Sequence, residues 1–336
     1  MADARPRFVG LVIVLGLLAG SGALTDQVRA DGSGTTGVPV AAAPATPAHR
    51  LAAKRLTNGC AYQARGIPRC GALLGAAYGA NTNPIGWERS MHHSLGVHRT
   101  YWSHAGVRGA VRQARRDIAA HRLPWISLKL PRSWGAMAAG HGDSWVRYVA
   151  RGLRSVRGPV WVAFHHEPEG DGPIRSWTRM QQHIAPIVRR TAHNVGFSLV
   201  LTGWNELYGA RRYRLGALWP HTKIDVLGFD VYNQSGVVRN GTRTRTRTDF
   251  LHGYFTRFLR FARSHDVAWG LAETGHTDWS ARTDPGWVLR TYRQLVRQHG
   301  IAFSYFNTRL HSIAPWRLVG AKGRAFARAL RSSPTL

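Results

Sequence analysis

"PVWVAFHHE" (159–167) is an almost unbroken apolar run that ends in two histidines and a carboxylate. A half-exposed strand alternates apolar with polar residues, whereas a run this apolar fits a strand buried on both faces, as in a parallel sheet covered by helices. Seven similar runs occur: "ALLGAAYG" (72–79), "LGVHRTYW" (95–102), "LPWISLKLP" (123–131), "GFSLVLTGW" (196–204), "IDVLGFDVYN" (224–233), "VAWGLAETG" (267–275) and "IAFSYFNT" (301–308). Between several of them lie segments with helical spacing, such as "GVRGAVRQARRDIAAH" and "DPGWVLRTYRQLVRQHG". Eight alternating units predict an α/β fold of the (β/α)8 TIM-barrel type, whose usual size is ~250 residues. An open doubly wound sheet is the alternative, but no Gly-x-Gly-x-x-Gly turn follows the first run.

The chain before the first run reads differently. Arg5 and Arg7 precede an apolar core and a small-residue pattern ending at Ala30, which predicts a signal peptide over 1–30. Residues 31–52 are rich in Ala, Pro and Thr and predict a linker. One catalytic domain is then expected over 53–336. The two cysteines, Cys60 and Cys70, are expected to form a disulfide in an oxidising compartment. The expectation is a secreted monomer with no stable membrane anchor once the signal is cleaved. The formal charge of +29 raises the question of nucleic acid. The basic residues are nearly all Arg and are scattered singly, so no dedicated nucleic-acid surface is expected.

Acid is scarce: 17 Asp+Glu stand against 46 Lys+Arg. The whole chain has five glutamates, and four of them (Glu167, Glu169, Glu206 and Glu273) fall at or just past the end of a predicted strand. The C-terminal ends of barrel strands are where such folds carry chemistry. Two carboxylates from different strands suit glycosidic-bond cleavage, one protonating the leaving oxygen while the other attacks or activates water.

The layout resembles the clan A retaining glycoside hydrolases, most of all glycoside hydrolase family 26, the β-mannanase family. That family ends strand four with His-Glu-Met-Asn-Gly, where this chain has "HEPEG" (166–170). Its strand seven runs into a glutamate, a small residue and Gly, matched by "LAETG" (271–275), and its Gly-x-Asp-x-Tyr of strand six is matched by "GFDVY" (228–232). The agreement in order and spacing covers about 72–308. The resemblance implies that Glu167 is the general acid/base and Glu273 the nucleophile, with His166 orienting the acid and Tyr232 donating a hydrogen bond to Glu273. It also implies a polysaccharide substrate, mannan-like or a related β-glycan, and no cofactor. Two departures stand out. Glu169 occupies the position of the family's Asn, and "FSYFNT" (303–308) lacks the Trp common near the end of strand eight.

Aromatic and amide side chains near strand ends are candidate sugar contacts: Trp102, Trp134, Trp204, Asn205 and Asn233, with Glu169 beside them. Two rival readings remain open at this stage. Strand alternation places His165, Glu167 and Glu169 on one face, and a histidine with two carboxylates can hold a divalent metal. That alternative is a metal-assisted polysaccharide hydrolase or deacetylase, and it leaves Glu273 and Tyr232 without a task. The other is a non-catalytic glycan-binding barrel.

Overall fold

Each of the eight apolar runs forms a strand. In the computed structural model, which describes residues 54–310 and 312–336, the strands are β1 (Leu73–Tyr78), β2 (Val97–Trp102), β3 (Leu123–Leu128), β4 (Val160–Phe164), β5 (Val195–Leu201), β6 (Val226–Asp230), β7 (Ala268–Thr274) and β8 (Ala302–Asn307). All pair in parallel, and β8 closes onto β1 to complete the barrel. The chain is a (β/α)8 barrel. The expected signal peptide (1–30) and linker (31–52) lie outside the described residues. Among the described residues no helix is long and apolar enough to cross a membrane.

Alternation along the strands builds two apolar layers. Outward residues such as Ile126, Val162, Phe229 and Leu271 pack against the helices, including Val107–Ala119, Asp143–Arg154 and Ile174–Thr191. Inward residues fill the lumen, where the rings of Trp125 and Trp161 meet edge to face at 5.1 Å. Gly228 makes room for them, because a Cβ there would stand 2.6 Å from Trp125. Gly75 is required for a closer approach still. A Cβ there would lie 1.7 Å from the carbonyl oxygen of Val97, so the β1–β2 pair closes only over glycine.

The starts of the strands are sealed by residues 54–70. Leu56 and Cys60 join the lumen cluster with Leu73, Val97 and Leu123, and the Cys60–Cys70 disulfide closes this segment on itself. The C-terminus is tied to the same end: the Leu74 amide donates to Ser333 Oγ, and the Thr335 amide to Thr57 Oγ1. Glu88 also belongs to the framework. It is buried, accepts the Leu95 amide at 2.7 Å and pairs with Arg122. Arg122 in turn meets Asp117 at 2.9 Å, and Asp117 accepts from His98.

Candidate active site

β2 supplies the first site residues through its alternation. Val97, Arg99 and Tyr101 point into the barrel, while His98 and Trp102 point out toward the helices. Arg99 is almost wholly buried. Its Nη1 donates to Ser127 Oγ at 2.8 Å, and the guanidinium stands 4.7 Å from the Tyr101 ring centre. Trp102, expected as a sugar platform, is turned the other way. Its indole Nε1 donates to Thr100 Oγ1, and its ring packs over Gly106 and Gly109 of the adjoining helix.

β4 ends earlier than its apolar run, at Phe164. His165 and Glu167 both take left-handed backbone angles, with φ of 55° and 49°. That breaks the alternation on which the His165, Glu167, Glu169 metal set rested. The His165 ring turns toward Asp171, at 2.8 Å, and against the Trp134 ring. Glu167 is held in the mouth, its amide donating to the Val200 carbonyl at 2.8 Å. Among the described residues, no three His, Cys, Asp or Glu side chains are grouped to hold a metal ion. The half-buried His166 ring lies against Tyr101, and desolvation, followed by the charges of Arg99, Lys129 and His165, depresses its pKa well below the usual histidine value.

β7 carries Glu273 across an irregularity in the sheet. Phe303 pairs with Leu271, but Tyr305 pairs with Thr274, so one extra residue is inserted in β7. Strict alternation would put Glu273 on the outward side with Leu271. A bulge re-aims a side chain in this way, and Glu273 faces the mouth, where Tyr232 donates to its Oε2 at 2.7 Å. Tyr232 is clamped by Trp316, whose ring centre is 4.9 Å away, and by Phe306 at 6.1 Å. Trp316, in the loop after β8, therefore places an indole beside the site even though β8 itself ends in Phe306 and Asn307.

The carboxyl groups act on one another. Burial, and next the charge of Glu273, push Glu167 up to about 8, with Arg99 opposing. Burial, then Glu273 and Glu167, hold Asp230 of β6 well above the usual carboxylate range. Asp230 is buried opposite Glu273 in the β6–β7 register, with its carboxyl close to that of Glu167. Glu169 lies beside Glu206. Burial, then the contact with Glu206, raises its pKa well above normal, and burial raises that of Glu206 as well, whose Oε2 accepts from Thr202 Oγ1. The mouth thus gathers Glu167, Asp230 and Glu169, each with a raised pKa, around Glu273 and close to the deeply buried Arg99.

The remaining candidates divide. Trp204 opens a short helix (Trp204–Tyr208) just after β5 and is exposed, at 37 %, near the exposed Tyr208. Asn205, half-buried, donates from Nδ2 to Thr202 Oγ1 at 3.0 Å. Asn233 is fully buried: it donates to Ser280 Oγ and accepts the Ser235 and Thr248 amides, so it pins a loop rather than lining the mouth. Arg99 and Tyr101 had no motif to announce them. The usable signal was the parity of β2, which sets Arg99 two residues from Tyr101 on the inward face.

No family model matches the sequence, and no curated protein does. Solved structures share the fold at low identity. A fungal β-1,4-galactanase superimposes with a TM-score of 0.56 at 12 % identity, covering 77 % of this chain and 99 % of its own. Thermotoga maritima Cel5A, solved with mannotriose, gives 0.55 at 10 % identity over 78 % and 97 %. The glycoside hydrolase 26 domain of an endo-β-mannanase/endo-β-glucanase from Prevotella bryantii gives 0.50 at 11 % identity over 77 % and 89 %.

Proposed function

We propose that the chain is a secreted glycoside hydrolase that cleaves a β-linked polysaccharide, mannan-like or a related β-glycan, with retention of configuration. The observation that carries the reading is the pair Glu167 and Glu273, brought from β4 and β7 to one barrel mouth and electrostatically linked there. Glu167 is protonated at neutral pH, as a general acid must be. Tyr232 fixes the orientation of Glu273.

In the first step a Glu273 oxygen attacks the anomeric carbon. The glycosidic bond breaks, and the Glu167 proton goes to the departing oxygen. In the second, water attacks the same carbon and gives its proton to Glu167, and the bond to Glu273 breaks. Trp204, exposed just after β5, is the candidate platform for a sugar face. The backbones named for the structural neighbours, β-1,4-galactan among them, support a β-glycan substrate.

Proton NMR of the first-formed reducing end tests the mechanism: a β-anomer is expected, and an α-anomer excludes retention. Glu167→Ala should retain the glycosylation step only on activated aryl glycosides and should recover turnover with azide. Glu273→Ala should lose cleavage altogether. Azide rescue of Glu169→Ala instead would move the acid/base role to Glu169.

A further inference from the structure

The loop after β8 brings two arginines to a groove that the catalytic steps do not use. The groove, of about 550 Å3, runs between the ends of β1 and β8 and is lined by Tyr78, Trp87, Asn307, Thr308, Arg309 and Arg317, among others. It adjoins the reaction centre. Asn307 follows Phe306 and Arg317 follows Trp316, and these two rings flank the tyrosine that is bonded to Glu273. Arg309 and Arg317 are exposed, and among the described residues neither side chain has an ion-pair or hydrogen-bond partner. No acid lines the groove. Elsewhere arginines beside acids are paired, as Arg189 is with Asp225 and Arg290 with Asp284.

Building on the glycosidase reading, we propose that this groove is a subsite for an anionic sugar, and that the substrate is a β-glycan bearing carboxylate groups. A guanidinium fork matches a carboxylate with two parallel hydrogen bonds. Asn307 is committed to the Leu318 amide through Oδ1, so the charge-reading groups are the two arginines. Leu310 and Leu318 give the groove an apolar side for the sugar ring.

The test must separate this site from the general attraction of a chain with charge +29. Binding of β-1,4-linked gluco-, manno- and galacto-hexaoses, neutral and C6-oxidised, is measured by calorimetry on the Glu273→Ala protein, and cleavage is measured on wild type. The expected result is about tenfold tighter binding of an oxidised hexaose than of its neutral parent, as charge-assisted bonds of this kind give. Arg309→Ala with Arg317→Ala should remove the preference. Arg112→Ala with Arg116→Ala, on the outer face of the helix Val107–Ala119, should leave it intact.

Equal binding of neutral and oxidised forms, an equal effect of the two double variants, or a preference for a sulfated hexaose over the oxidised one overturns the inference. A preference that depends on Arg309 and Arg317, with no cleavage of any form by wild type, upholds the subsite and overturns the glycosidase reading. Cleavage of neutral forms without any preference does the reverse.

Discussion

Glu167 concentrates the electrostatics of the site in one side chain. Its carboxyl, raised to about 8 by burial and by Glu273, binds a proton in the folded protein that the unfolded chain releases near the ordinary glutamate value. Between those two pH values the folded state holds more protons, so this residue's contribution to stability falls as pH rises. Glu167→Gln removes the penalty. The variant should be more stable than wild type by ~1–4 kcal/mol at pH 8, using ~1.4 kcal/mol per pKa unit, and the gain should vanish near pH 4. Thermal unfolding across that range measures it, and a gain independent of pH contradicts the assignment. The same group sets the alkaline limb of kcat/KM near 8 if it is the acid. Tyr232→Phe acts on the partner carboxylate. Loss of one hydrogen bond to a charged group should lower kcat about 10- to 100-fold with little change in KM.

Individual strands explain what the sequence makes legible and what it hides. Apolar runs long enough to be buried on both faces marked all eight strands, because a parallel barrel offers no wet face to blur the pattern. Motif position likewise marked the glutamates of β4 and β7. The facing of side chains was harder to read. Trp102 was misassigned because it sits at a strand end, whereas its parity on β2 sends it to the helix layer. The rival grouping of His165 with Glu167 and Glu169 fails by the opposite error, since alternation does not continue past Phe164 into left-handed backbone. Glu273 reaches the mouth only through the β7 irregularity, which depends on pairing with β8 and leaves no local trace. β2 also gives a stability prediction through its outward His98. Asp117 accepts from His98, Gln113 and Arg122 with no exposure to solvent. Asp117→Ala leaves a buried arginine without that partner and should cost about 3–5 kcal/mol. Chemical denaturation should show it, and a cost below about 1 kcal/mol would mean that Glu88 and Asn83 suffice to hold Arg122.

Across the whole molecule, stability and chemistry occupy opposite ends of the barrel. The segment 54–70, with its disulfide, packs on the strand starts together with the C-terminal residues, while Glu167, Glu273 and Tyr232 lie at or beyond the strand ends. Barrels of this class commonly divide their labour in this way. The Cys60–Cys70 bridge, with a sequence separation of 10, should therefore contribute about 2–3 kcal/mol by restricting the unfolded chain. Cys60→Ser with Cys70→Ser should lower Tm by roughly 3–5 °C for a domain of this size. Since the bridge lies with the strand starts, away from Glu167 and Glu273, kcat, KM and the alkaline limb should match wild type at 25 °C. Two measurements on the double variant decide the matter together. A lower Tm with unchanged kinetics separates the two ends, whereas a fall in kcat while circular dichroism shows a folded protein would mean that the plug at the strand starts sets the geometry of the carboxylates at the other end.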